Sequence, residues 1–367
     1  MNKNVTKYKI IIPLILFFIL SITCIYSASL NFSSKDIVIK QIIWYLLGFF
    51  IIIITTNKNL KRINNFSFYL YIIGNVLLFL LLIFGNEVNG SKCWFIIPGI
   101  GSFQPSEFMK LILILTNAKI FEIHSKKYNS STFKSDMILF ITIGITTMIP
   151  SILTFLEPDT GMVMIYFLIS AVMLFVYGIK KSIFIALIII CLIVSGLFLY
   201  FYFNYQDNFI NIFGTTFFYR IDRLLDWSNK SGMQITNALA AIKAAGFFGF
   251  GIGNTPIYVP EAHTDFIFSI LSSNLGFLGA LILIATIIVF DYGLLDLANK
   301  TNDRMHKYII VGFVTMILYQ QIQNIGMNIG LLPITGITLP FISYGGSSLL
   351  SYMFGIALIL NYNKKIT

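Results

Sequence analysis

Charge is what this chain of 367 residues is short of: Asp, Glu, Lys and Arg together make up 11% of it, against roughly a quarter in soluble globular domains. That scarcity excludes an ordinary water-soluble fold. Cysteine is scarce as well, with Cys24 and Cys191 inside apolar runs and Cys93 alone in a segment predicted to face outside. No disulfide framework and no zinc site can be built from that set, and no metal-ligand cluster is visible elsewhere. What fills the chain instead is hydrocarbon: 57% of residues are hydrophobic and the mean hydropathy is +0.84.

Apolar runs of about 20 residues, enough for a helix to cross a core of about 30 Å, recur along the whole length. Ten are read, near residues 8–28, 37–56, 66–85, 105–123, 137–156, 161–178, 182–203, 266–290, 308–330 and 342–362. They lack the alternation of barrel strands, and backbone polar groups in lipid must be satisfied internally, so helices are expected. The first run is longer than a typical signal-peptide core and nine others follow it, so it is read as an uncleaved span.

Basic residues orient these spans, because cytoplasmic loops carry the Lys and Arg excess. With the N-terminus inside, inside segments hold sixteen Lys and Arg, outside segments hold seven, and Lys110 and Lys119 fall within a predicted helix. Both termini are then cytoplasmic, and the net charge of +10 reflects topology and anionic lipid rather than nucleic-acid binding. The expected fold is all-α: one integral membrane domain over 1–367, with ten spans and a large outside loop at 204–265 between the seventh and eighth. A structureless loop of that length is improbable, and MQITNALAAIKAAGFFGFGIG within it reads as an interfacial or re-entrant helix ending in Gly.

The unusual chemistry gathers on the outside. Glu107 and Lys110, three apart at the start of the fourth span, share a helix face and can pair, or both can snorkel to the interface. LEPDTG places Glu157 and Asp159 around a Pro turn, which suits function or a plain tight connection. LPITGITLPF and SYGGSS bring Pro333, Pro340, Gly336, Ser343, Gly345 and Gly346 to the last span, and broken backbone at that depth favours a cavity wall. VPEAHTDFIF sets Asp265 where polar sequence meets the eighth span. Asp265 reads either as a proton acceptor facing an anionic headgroup or as a helix N-cap. Burial would raise its pKa and neighbouring Arg220, Arg223 or Lys243 would lower it. His263 reads as a bystander. GFGIG at 249–253 follows no strand and is not read as a phosphate loop.

NGSKCWFIIPGIGSFQPSEFMK, LEPDTG, PEAHTDFIF and LLPITGITLPFISYGGSS, in this order over residues 10–362, resemble the SEDS proteins of bacterial cell-wall synthesis, RodA, FtsW and SpoVE. MNIGLLPITGI is more similar to the elongation member than to FtsW, where a TKG-type stretch is usual. The resemblance implies a glycosyltransferase of the bacterial cytoplasmic membrane that polymerises lipid II into β-1,4-linked strands with release of undecaprenyl pyrophosphate. It implies Asp265 as the essential acid, Glu107 and Lys110 as a required pair, and Arg220 as a cavity cation. It also implies a divalent cation, Mg or Mn, and as partners a class B penicillin-binding transpeptidase and other elongation-complex membrane proteins. Two departures stand out: GARRW of many members is Gly90, Ser91, Lys92, Cys93, Trp94 here, and an acidic pair is replaced by Ser273 and Asn274. A leaving pyrophosphate needs charge neutralisation more than protonation, so one base plus cations such as Lys110, Lys92 or Arg220 can carry the transfer with inversion. Rival readings are a lipid II flippase, which expects paired short or broken helices and similar halves, and a scaffold for a transpeptidase.

Overall fold

A computed structural model describes residues 3–30, 36–56, 65–88, 91–97, 101–128, 132–215, 218 and 232–362. In chain order the elements are α1 (Lys3–Ser29), α2 (Asp36–Thr56), α3 (Ser67–Phe84), β1 (Asn86–Val88), β2 (Ser91–Ile97), β3 (Gly101–Phe103) and α4 (Pro105–Lys127). There follow α5 (Phe133–Leu156), α6 (Thr160–Tyr177), α7 (Lys181–Asn204), α8 (Gln206–Phe213), α9 (Met233–Ala244), α10 (Ile267–Lys300), α11 (Arg304–Asn328) and α12 (Gly346–Tyr362).

Eight of these helices are long and apolar enough to cross a membrane: α1, α2, α3, α5, α6, α7, α10 and α11. The expected fourth and tenth spans coincide with α4 and α12, which fall short for different reasons. α12 is one turn shorter than the run that predicted it, because the chain stays irregular to Tyr344. α4 is too polar, carrying Glu107, Lys110, Thr116, Asn117 and His124, all of them buried. It can be polar because α3, α5, α6, α11 and α12 all pack on it, and buried polar groups at bilayer depth are tolerated where they face protein.

The helical expectation holds, with one addition. Segment 86–103 forms a small antiparallel sheet in the order β1-β2-β3, with Ile97 opposite Gly101 and Phe95 opposite Phe103. The β-branched and aromatic run Trp94–Ile97 explains why this stretch pairs as strands. Its last strand leads through Gln104 into Pro105, the first residue of α4, where a missing N–H costs nothing.

α10 is broken. Gly276 has φ 63 and ψ −159 inside the helix, a conformation open essentially to Gly alone. The break exposes backbone groups, and the GFFGFG segment supplies their partners. Phe250 N–H donates to Ser273 O at 2.9 Å and Gly251 N–H to Asn274 O at 3.0 Å, while Gly246 O and Phe247 O accept from Phe277 and Leu278 at 3.0 and 3.1 Å. The glycines of 246–251 thus close a helix break. Asn274 also accepts a hydrogen bond from Ser27 of α1 at 3.0 Å, and Ser27 accepts from Gly253 N–H, so the Ser273-Asn274 departure serves this splice. A Cβ on Gly276 would lie 2.4 Å from Gly249 N and Phe247 O, both backbone. Gly276→Ala is expected to destabilise the protein by at least about 3 kcal/mol, read as a lower melting temperature in detergent; an unchanged melt would refute the splice.

α9 forms as expected, with Gly246 at φ 60 just beyond its end, and packs on α10 and α11. With α8 it gives structure to the long connection between α7 and α10.

Candidate active site

The loop that carries Asp265 is held by its backbone. Glu261 adopts φ 50, and its carbonyl accepts from Thr264 N–H at 3.2 Å and Phe266 N–H at 3.1 Å, closing a tight turn. Three successive carbonyls beyond it are then fixed from outside. His263 O accepts from Tyr344 N–H at 2.8 Å, and Thr264 O from the Ser343 hydroxyl at 2.7 Å. Asp265 O accepts from the side-chain amides of Asn324 and Asn328 at 2.8 and 3.0 Å. These two asparagines stand four apart on α11, hence on one face. Ser343 is delivered by an irregular segment in which Phe341 takes φ 66, its ring stacked on Phe17 at 5.5 Å and edge-on to Phe290 at 5.3 Å.

So restrained a backbone leaves the Asp265 carboxyl unused. The N-cap of α10 is Phe266, with no side-chain cap bond, which removes the alternative reading of Asp265 as a cap. Among the described residues no group hydrogen-bonds the carboxyl. It is partly exposed, and a Cβ on Gly336 would stand 3.7 Å from its Oδ2, so it lies against the 331–340 segment. The sequence left open whether burial or cations would set its acidity. Burial raises it to about 7, and the like charges of Glu261 and then Asp159 push the same way, with no described cation acting against them.

Asp159 links this loop to a second cluster. It caps α6 by accepting from Met162 N–H at 3.1 Å and accepts from Gln104 Nε2 at 3.1 Å. Burial lifts its carboxyl to about 6, with Glu107 raising it and Lys110 lowering it. LEPDTG is therefore both a turn and part of the site. Next to it, Gly161 has no room for a Cβ, which would sit 3.0 Å from Ile337 and 3.1 Å from Thr335 O; the 331–340 segment lies between the two acids.

Glu107 and Lys110 are 3% and 0% exposed and 2.7 Å apart. The snorkelling alternative is excluded. The contact is ionic rather than an aligned hydrogen bond, since both atoms lack hydrogen-bond geometry, and the ammonium also lies over the Tyr352 ring at 5.2 Å. Elsewhere in the bundle, buried Ser106 Oγ, Gln320 Oε1 and Thr335 Oγ1 have no hydrogen-bond partner among the described residues. Buried polar atoms without protein partners are where ordered water is expected.

Cys93 lies in the segment expected on the outer side and is not exposed there. It is buried on β2, its Sγ 3.1 Å from Glu157 O, and burial with the charges of Asp159 and Glu157 pushes its thiol far up. Glu157 is fully buried, neither carboxyl oxygen has a hydrogen-bond partner among the described residues, and burial raises it to about 9.

Other expected site residues fall as follows. Lys92 is exposed on β2, which packs on α3 and α4, and it is not among the charges acting on Asp265. Arg220 and Gly90 lie outside the described residues. The His263 ring sits 5.9 Å from that of Tyr344, and burial lowers its pKa, with Glu261 acting the other way. Gly345 N–H donates to Gln41 at 3.4 Å, and a Cβ on Gly346 would be 2.7 Å from the Trp44 indole, so these glycines seat α12 against α2. Among the described residues no group of three or more His, Cys, Asp or Glu stands together as a metal cage.

Four participants were missed in the sequence: Asn324, Asn328, Gln104 and Glu261. The asparagines had a readable signal in QNIGMN, two amides at helical spacing in a span. Gln104 had none beyond lying beside Pro105.

Residues 5–367 match the family model FTSW_RODA_SPOVE, described as cell cycle protein. Stage V sporulation protein E of Bacillus subtilis is 32% identical over 338 residues, covering 89% of this chain and 86% of that protein. The protein named "Probable peptidoglycan glycosyltransferase FtsW" of Hydrogenovibrio crunogenus is 31% identical over 374 residues, covering 96% and 90%. Among solved structures, a chain of a peptidoglycan synthase complex, described as coordinating polymerization and crosslinking, superposes with TM-score 0.79 at 25% identity over 97% of this chain and 96% of that one. RodA of Thermus thermophilus gives TM-score 0.70 at 24% identity over 98% and 96%, which shows the shared fold. The two sequence relatives are named FtsW and stage V sporulation protein E, so the lean toward the elongation member drawn from MNIGLLPITGI is not confirmed. The chain is a multi-pass protein of the bacterial inner membrane, and it belongs to the SEDS family of FtsW, RodA and SpoVE.

Proposed function

We propose that the protein is a peptidoglycan glycosyltransferase that polymerises lipid II, with Asp265 as its general base. One observation carries the reading: on a loop pinned at three carbonyls, the Asp265 carboxyl has no hydrogen-bond partner among the described residues, is partly open and is raised to about 7. A base with its pKa near the working pH combines the right protonation state with the strongest pull on a proton. The proton of the acceptor sugar's 4-hydroxyl passes to Asp265 as the oxygen attacks the donor's anomeric carbon. The bond to the pyrophosphate oxygen breaks with its electrons, undecaprenyl pyrophosphate leaves, and the configuration inverts to β-1,4. Lys110 is not available to the leaving group, being buried and neutralised by Glu107; Lys92 and Arg220 are the cations left for that task, and no step is routed through a metal.

Deprotonated Asp265 is the active form, so kcat/KM is expected to rise with pH and reach half its plateau near 7. A rate flat from pH 5 to 8 would exclude it as the base.

Translocation of the same lipid expects paired broken helices whose unwound carbonyls hold ions. α10 is broken, but its break is sealed by the backbone of 246–251, so it offers no free carbonyls of that kind. The FtsW and SpoVE names of the relatives favour a division or sporulation role, against the elongation reading of MNIGLLPITGI. A class B penicillin-binding transpeptidase is the partner this reading expects, in keeping with the synthase complex that superposes on the chain. Proteoliposomes loaded with fluorescent lipid II test the reading: glycan ladders support it, and lipid crossing the bilayer without ladders supports the flippase.

A further inference from the structure

Glu261 is the residue of VPEAHTDFIF that the mechanism above leaves unused, and its conformation costs something to hold. A non-Gly residue at φ 50 is sparsely populated, and such strain persists only where its surroundings enforce it. Here the enforcement is visible. The Glu261 carbonyl takes Thr264 N–H at 3.2 Å, Phe266 N–H at 3.1 Å and the Thr264 hydroxyl at 3.3 Å. The same hydroxyl lies 3.2 Å from Glu261 Oε2, so the side chain is folded back over the turn that presents Asp265.

We infer that Glu261 is a positioning residue for the reaction: its negative charge, anchored on Thr264 within the strained turn, makes Asp265 a stronger base than burial alone would. The inference rests on the reading of Asp265 as the base. Two acids four residues apart on one rigid turn cannot drift from one another, and a like charge held near a carboxylate favours its protonated form.

The other groups facing Asp265 do not supply this effect equally. Among charges acting on it, Glu261 ranks before Asp159, which reaches it from the α5–α6 connection. His263, on the same loop, has its pKa lowered by burial and is not among the charges acting on Asp265. Tyr344, from the segment before α12, meets the His263 ring. Glu107 and Lys110 act on Asp159, not on Asp265. The site therefore carries two anions and no described cation around its base, a balance that helps it take a proton.

The test is the pH profile of lipid II polymerisation by the full chain in proteoliposomes, for wild type, Glu261→Gln and Asp265→Asn. Wild type should reach half-plateau near pH 7. In Glu261→Gln the half-height should move down by about one pH unit, and the plateau should fall by about threefold because the base is weaker. A purely structural role would lower the rate at every pH and leave the half-height in place; that result, with Asp265→Asn inactive, overturns the inference and spares the base. Full activity in Asp265→Asn overturns the base and the inference together. Should Glu261→Gln fail to fold, Thr264→Val serves instead, because it keeps the charge and removes its anchor; the half-height should again move down, and an unmoved one refutes the role.

Discussion

Lys110→Met is expected to unfold much of the protein, lowering its stability by about 3–5 kcal/mol, because it strands Glu107 as an unpaired charge. Lys110 is 0% exposed and Glu107 3%, so neither can turn to water without opening the bundle. α4 lies among α3, α5, α6, α11 and α12, and no described cation other than Lys110 pairs with Glu107. Removing both charges should behave differently. When a buried pair is replaced by apolar groups of similar size, the change is often neutral or stabilising, so Glu107→Leu with Lys110→Met should recover most of the lost stability. Melting curves in detergent decide it. If Lys110→Met melts as wild type does, the pair is not a structural charge pair, and its contact at 2.7 Å means little for the fold.

Asp265→Asn should act in the opposite manner, with a large loss of rate and almost none of stability. Loss of a positioned general base costs typically 10²–10⁴ in rate. Stability should stay within about 0.5 kcal/mol, since the carboxyl has no hydrogen-bond partner among the described residues and caps nothing. The loop is held by backbone carbonyls of His263, Thr264 and Asp265, and all three survive the substitution. Removing the burial penalty on a carboxylate works toward a slightly more stable protein. A variant that lost rate and fold together would show that the side chain supports the loop, contrary to the geometry.

These two residues also mark how far sequence alone reaches. Helices announced themselves, because a run of about 20 apolar residues has few other uses. α4 was legible through QPSE, a Pro start with an acid in the first turn, even though its polarity defeats a hydropathy criterion. The position of Asp265 was legible too, at the boundary of polar and apolar sequence. Its acidity was not, because that depends first on burial by segments distant in sequence, and then on the charges of Glu261 and of Asp159 from another connection. Likewise the break in α10 cannot be seen at Gly276 alone. A glycine inside a span is ordinary, and only the glycines of 246–251, placed against it, make the non-helical turn affordable. The burial of Cys93 was not legible either, because the small sheet that packs it against Glu157 forms from a segment without a strand signal strong enough to stand out among the spans.

The central claim is that the Asp265 carboxylate takes the proton from the attacking sugar. The direct measurement is the initial rate of glycan-ladder formation from labelled lipid II by Asp265→Asn, purified with its transpeptidase partner and shown to melt as wild type does. At least a hundredfold loss is predicted, with lipid II binding retained. Ladder formation at the wild-type rate would contradict the account.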